Sequence, residues 1–295
     1  MEIKFKKNII PYIFIGPHFL GLFLFTLGPL IMSLIMSFFN WPVIGERVFT
    51  GFSNYIELFT KDTQFYKSLF ITFKFTVIFV PVNIVLSLLL ALLISQDLKG
   101  MSFFRIIFYL PTVVSSVAIS IIWGWILNGE YGILNYFLSI LKITGPDWLN
   151  SEKYSIFALI IASGWTVGVM MLVFYTALKS IPYELYESAI IDGANNIVIF
   201  FKITLPLITP TLLFNLVTAI IGALQNLALV ILLTNGGPLN STYMYGLFVY
   251  NNAFKKSRLG YASASAWVMF IFILIITGVI FKSSKKWVYN YDNKE

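Results

Sequence analysis

The chain has 295 residues, of which 58% are hydrophobic, 18% aromatic and only 11% charged, against about 25% charged residues in soluble domains. Its mean hydropathy of +0.85 excludes an ordinary soluble protein and indicates a polytopic membrane protein. The net charge of +7 does not indicate nucleic-acid binding, because the basic residues are scattered among apolar segments, and zero cysteines exclude disulfides, thiol catalysis and cysteine-held metal clusters.

Six apolar stretches follow in order: Ile10 to Phe38, Phe75 to Ile94, Ile106 to Leu127, Ile156 to Leu178, Leu207 to Leu233 and Ala264 to Phe281. Each is near or above the roughly 17 residues that a membrane-crossing helix needs. The expected fold is therefore an all-α polytopic membrane protein with six transmembrane helices. The first stretch follows Lys4, Lys6 and Lys7 in the manner of a signal peptide, but it runs far past an apolar segment of about 7 to 15 residues and is expected to remain a membrane helix. Pro17, Pro29, Pro81 and Pro111 lie within or at the edges of these stretches, so bent helices are expected.

With both termini cytoplasmic, segments 1–9, 95–105, 179–206 and 282–295 hold 11 of the 20 Lys and Arg residues. That positive-inside bias is modest, because Lys255, Lys256 and Arg258 then fall on an outer loop. No carboxylate lies in any of the six stretches, and Lys74 sits at a helix end where it can snorkel. This pattern argues against a proton-coupled or sodium-coupled carrier, for which His18 is the only midplane candidate and an interfacial position its plainer reading. A phosphate-binding G-x-x-x-x-G-K-[ST] loop, a G-x-S-x-G elbow and an H-E-x-x-H helix are all missing from the sequence. No catalytic residue and no metal site is assigned, and transport fits better than catalysis.

The segment from Ser180 to Pro206 is too structured for a mere connection. Pro182 suits the first turn of a helix, and Glu184 complements its dipole. Tyr183, Tyr186, Ala189 and Ile190 recur at helical spacing as an apolar stripe. Gly193 stops the helix, Asn195 or Asn196 caps a second short one, and Pro206 is expected to end that one near Leu205. Physical chemistry alone leaves a partner-docking surface and a passive interfacial element equally open.

Glu187-Ser188-Ala189, Gly193, Ile203, Leu205 and Pro206 resemble the signature E-A-A-x-x-x-G-x9-I-x-L-P of permease subunits in binding-protein-dependent ABC importers. Every spacing matches, and Ser188 in place of alanine is the one departure. Phe103 to Pro111, Trp123 to Asn128, Tyr131 to Asn135, Leu233 to Pro238 and Gly260 to Ala264 resemble further motifs of the carbohydrate-uptake branch, which includes the maltose and glycerol-phosphate permeases.

The resemblance implies one half of a translocation pore in a bacterial or archaeal inner membrane, with a transmembrane domain over 10–282, a coupling loop over 179–206, and cytoplasmic ends at 1–9 and 283–295. It further implies a second permease subunit in a heterodimer, two ATPase subunits, an extracytoplasmic solute-binding protein, and a sugar as solute. This chain would bind no cofactor, and ATP and Mg would sit on the ATPase subunits. The coupling residues so implied are Tyr183, Glu184, Tyr186, Glu187, Ala189, Asp192 and Gly193, with Glu187 facing a basic residue of the ATPase. Solute contacts in related permeases point to Trp165 and Thr166 on the fourth helix, and to Gln225 and Asn226 on the fifth. Helix packing is an equal alternative for each of the four. The lining is expected to suit a neutral carbohydrate, with glycerol phosphate or another small anion as the alternative and an ion-coupled carrier further behind.

Overall fold

The computed structural model describes residues 14–96 and 98–289. The expected N-terminal segment 1–9, the start of the first stretch and the end of the C-terminal tail lie outside them. Helix α1 (Phe14–Met36) leads into a hairpin, β1 (Phe39–Asn40) with β2 (Val48–Phe49), then α2 (Ser53–Thr60) and α3 (Thr63–Ile94). There follow α4 (Met101–Tyr109), α5 (Ser116–Ile126), α6 (Ile133–Ile140), α7 (Ser155–Gly164), α8 (Gly168–Lys179) and α9 (Tyr183–Ile191). The chain ends with α10 (Asn196–Leu207), α11 (Thr209–Leu224), α12 (Ala228–Leu233), α13 (Tyr245–Tyr250) and α14 (Leu259–Ser284).

Among the described residues three helices, α1, α3 and α14, are each long and apolar enough to cross a membrane, and the number rises to six if each of three bent pairs is one span. The second span starts at Thr63 rather than Phe75, because Lys67 and Lys74 are good helix formers that continue the helix beyond its apolar part. The last starts at Leu259 rather than Ala264 and ends at Ser284.

The other three expected spans are not single rods. The third bends by 104° between Val113 and Ser116, where Pro111 opens a 3-10 turn and Val114 is extended. The fourth bends by 49° between Gly164 and Gly168. The fifth bends by 67° at Ile208, joins α10 to α11, and stops at Leu224 instead of running to Leu233. Gln225 to Leu227 then interrupt the helix before α12.

Wide helical turns at Leu22–Leu27 and Phe200–Thr204 each lead toward a proline, Pro29 and Pro206. Proline has no N–H to give, and its ring collides with the carbonyl four residues back; a widened turn moves that carbonyl aside. Hence α10 continues past Pro206 to Leu207 instead of ending near Leu205.

The chain divides into two compact units. One comprises the described part of Met1–Thr63 with Val249–Phe272. There Asn54, itself buried, donates to the carbonyls of Ser37 and Phe39 at 2.8 and 2.9 Å, tying α2 to the end of α1. Arg258 pairs with Glu57 at 2.6 Å and lies over the ring of Tyr261, whose hydroxyl donates to Asp62 at 2.7 Å. That hydrogen bond to Glu57 holds the Arg258 guanidinium above its ordinary pKa, against the opposing effect of burial. Gly260 lets α14 begin against the hairpin, since a Cβ there would stand 2.0 Å from the Phe39 carbonyl oxygen and 2.9 Å from that of Met36.

The second unit comprises Gln64–Phe248 and the described part of Ile273–Glu295. Ala91 and Ile94 of α3, Met171, Phe174 and Leu178 of α8, and Ile208 at the α10–α11 bend form its buried cluster. Thr72 accepts a hydrogen bond from the backbone N–H of Tyr245 at 2.7 Å, and the rings of Phe65, Tyr245 and Phe248 pack beside it. None of the residues of α1 is buried by this chain, and large apolar side chains on most other helices are exposed, as lipid-facing or partner-facing surfaces require.

Gly260→Val is expected to destabilise the first unit by about 1–3 kcal/mol through overpacking. Gly278→Ala, with open space around its Cβ, serves as the neutral control. Differential scanning fluorimetry of the detergent-purified proteins should show a lowered melting temperature for the first substitution alone.

Candidate functional site

The Ser180–Pro206 segment folds as two helices joined by a glycine turn. Helix α9 ends at Ile191 with Asp192 as its C-cap, after which the N–H of Gly193 donates to the Ile190 carbonyl at 3.0 Å and that of Ala194 to the Ala189 carbonyl at 2.9 Å. This pair of bonds is the Schellman arrangement, and it requires the left-handed φ of +78° that Gly193 adopts. Asn195, not Asn196, caps α10 by accepting from the Val198 N–H at 2.9 Å. Ser188 turns its hydroxyl onto the Glu184 carbonyl at 2.7 Å, so its departure from alanine is absorbed within α9.

No residue of α9 is buried. Tyr183 and Ile191 are 68% and 85% exposed, while Tyr186 and Ala189 are half-buried, Tyr186 lying 3.3 Å from the Thr204 hydroxyl. Tyr183, Tyr186 and Ile190 also line a groove of about 640 Å3 with Gln96, Leu178 and Ile199. Glu184, Glu187 and Asp192 are exposed and make no ion pair among the described residues. Helix α9 thus presents exposed apolar and acidic side chains, and its carboxylates have no ion-pair partner among the described residues.

The second feature is a cavity of about 350 Å3 built where helices break. Phe79 and Asn83 come from α3, Ser116 and Ile119 from α5, and Ala162 and Ser163 from α7. Thr166 stands in the following turn, Ala219, Gly222 and Ala223 lie on α11, Asn226 in its C-terminal break, and Ala228 and Leu229 on α12. Side chains at the breaks bond nearby backbone groups or one another. Ser115 caps α5 through the Ala118 N–H at 3.3 Å, Thr166 donates to the Ser163 carbonyl at 3.0 Å, and Asn226 reaches the Ser163 hydroxyl at 3.4 Å. The lining carries amides, hydroxyls, one aromatic ring and small apolar groups, and no charged side chain.

Of the four residues first singled out on the fourth and fifth helices, Thr166 and Asn226 line this cavity. Trp165 and Gln225 do not. Trp165 packs edge-on against Trp123 with ring centres 5.9 Å apart, and Gln225 is exposed on the other side of the break. Asn83, Ser116 and Ser163 belong to the lining and escape sequence reasoning; the available signal is that Asn83 stands alone among apolar residues two positions after Pro81.

The family of binding-protein-dependent transport system inner membrane components matches residues 96–290. A probable ABC transporter permease protein, YesP of Bacillus subtilis (strain 168), is 37% identical over 98% of this chain and 94% of its own length. The trehalose/maltose transport system permease protein MalF of Thermococcus litoralis is 31% identical over 95% of each chain. Among solved structures, a bacterial ABC transporter involved in the import of the acidic polysaccharide alginate shares the fold with a TM-score of 0.84 at 25% identity, covering 96% of this chain and 97% of that one. The chain therefore belongs to the inner-membrane permease components of binding-protein-dependent ABC transporters. It is a multi-pass membrane subunit and not the ATPase.

Gly193→Val forces a β-branched side chain into the left-handed region at a cost of about 1–3 kcal/mol. Since a Cβ at Gly193 meets no neighbour within 4 Å, the effect is conformational rather than steric. Hydrogen exchange read by mass spectrometry should show faster exchange at the end of α9 and the start of α10, with α3 and α14 unchanged.

Proposed function

We propose that this chain is one half of the membrane pore of an ATP-driven sugar importer. Residues 10–282 would form six spans with both termini cytoplasmic, and residues 179–206 the loop that engages the ATPase. In this reading α9 is the coupling helix. Tyr183, Tyr186 and Ala189 form its packing surface, and Glu184, Glu187 and Asp192 meet basic groups of the ATPase. Gly193 fixes the turn that joins α9 rigidly to α10. Closure of the ATPase subunits on ATP and Mg, which they and not this chain bind, would then rock the bent helices and alternate access to the cavity. A second, non-identical permease completes the pore, and an extracytoplasmic binding protein delivers the solute.

The observation that carries the sugar assignment is the uncharged lining of the helix-break cavity. Amides and hydroxyls pair with sugar hydroxyls, and a ring face suits the apolar side of a pyranose. A phosphate or carboxylate held there would want Arg or Lys, because an unpaired charge is costly in a low-dielectric site. The trehalose/maltose permease of T. litoralis supports a neutral saccharide. An acidic saccharide is the second reading, favoured by the alginate importer and by an outer cleft that carries Lys67 and Lys74 beside Glu152.

Two experiments test this account. Glu187→Ala should reduce co-purification of the ATPase subunits and slow transport several-fold; unchanged assembly and uptake would remove the coupling role of α9. Competitive radiolabelled uptake into proteoliposomes holding the complete importer should favour neutral mono- or oligosaccharides over uronates and sugar phosphates, and preference for an anionic solute would overturn the neutral-sugar reading.

A further inference from the structure

One wall of the helix-break cavity belongs to α3, which supplies Phe79 and Asn83 one turn apart. At this i, i+4 spacing both side chains lie on the same face of the helix. Phe79 stacks on Phe75 with ring centres 5.2 Å apart and planes 14° from parallel, and Phe75 is fully buried. The ring at the cavity is thus held at a fixed angle by a second ring anchored in the protein.

Asn83 is different from the other amides nearby. Asn226 donates to the Ser163 hydroxyl, and Asn215 on α11 to the Met170 carbonyl at 3.4 Å. The Asn83 carboxamide oxygen is buried and meets no donor. The hydroxyl of Ser87, one turn further on, is spent on the Asn83 backbone carbonyl at 2.6 Å, so it does not serve the side chain. A buried amide oxygen without a partner costs stability, and an apolar residue of similar size would remove that cost. Packing among the described residues of this chain therefore gives no reason for asparagine here, whereas a ligand that completes its hydrogen bonds does.

We propose that Phe79 and Asn83 form a saccharide-recognition pair on α3, in which the carboxamide of Asn83 hydrogen-bonds one solute hydroxyl and the ring of Phe79 carries the apolar face of the same sugar unit. The inference rests on the sugar-importer reading of the cavity. An asparagine side chain both donates and accepts, as a sugar hydroxyl does, so the match holds whichever end of the amide is presented. Rotation about χ2, a broad two-fold torsion, exchanges those ends without moving the helix. A solute hydroxyl in the cavity would donate to the Asn83 carboxamide oxygen or accept from its NH2 group.

The test is direct binding to the detergent-purified complete importer without its binding protein, using radiolabelled neutral mono- to trisaccharides and their monodeoxy analogues. Wild type should retain at least one sugar and bind one of its deoxy analogues about tenfold more weakly, the factor expected for one hydrogen bond. Asn83→Leu should bind the parent sugar about tenfold more weakly and lose discrimination between it and that analogue, while melting no lower than wild type. Phe79→Leu should weaken parent and analogue alike. Asn83→Thr provides the same comparison if the leucine variant assembles poorly. If no sugar of the panel binds wild type, the neutral-sugar reading falls and takes the pair with it. If a sugar binds and the Asn83 variants keep both its affinity and the deoxy discrimination, the recognition pair alone is overturned.

Discussion

A peptide group in hydrocarbon has no water to turn to, so every N–H and C=O in the spans must find a partner within the protein. This constraint sets the architecture of the chain. Unbroken helices α1, α3 and α14 meet it with their own hydrogen bonds. Three bent pairs meet it differently, by placing hydroxyl and amide side chains at the points of fracture. Ser115, Thr166 and Thr209 bond backbone groups within a few residues, Thr209 reaching the Pro206 carbonyl at 2.6 Å. Asn226 spans from one break to another by reaching Ser163. Irregular backbone persists in a membrane only where it is buried in protein or lines a polar space, and the cavity lies beside the breaks before Ser116, after Ser163 and at Asn226. The bends and the polar lining therefore have a common origin.

Packing and turn geometry tie other elements together. The buried cluster of Ala91, Ile94, Met171, Phe174, Leu178 and Ile208 packs the end of α3 onto α8 and onto the α10–α11 bend. The glycine turn at Gly193 is closed by two backbone bonds and capped by Asn195, so α9 follows α10 without slack. The path from α9 to the bend at Ile208 runs through the short glycine turn and α10. On the proposed function this path links the ATPase to the cavity, with the break at Gln225 to Leu227 at the far end of α11.

Much of this was legible in the sequence, for reasons that differ from one residue to the next. The apolar runs announce the membrane helices because lipid demands long uncharged stretches. Gly193 announces its turn because few other residues accept its φ. Helix α3 begins 12 residues before its apolar run, at Thr63, because a helix does not stop where the bilayer does. Pro111 and Pro206 announce the fractures near Val114 and Ile208, whereas the one at Trp165 was hidden because single Ser, Thr and Trp residues do not interrupt an apolar run. Gln225 and Asn226 are neighbours in sequence, yet a break between helices turns one outward and the other into the cavity. Asn83 carries no motif, and its meaning lies in the missing hydrogen-bond partner, which only three dimensions reveal.

On the proposed function, the cavity at the helix breaks opens to one side of the membrane at a time. A single cysteine at Gly222 tests it directly, since this chain has no other cysteine and the side of Gly222 that a Cβ would occupy is open. Its reaction with an impermeant thiol reagent should be measured from each face of sealed vesicles, in the nucleotide-free complex and in the complex arrested with a non-hydrolysable ATP analogue. The account predicts labelling from one face only in each state, with the face exchanged between the two. Labelling from the same face in both states, or from both faces in one, would contradict it.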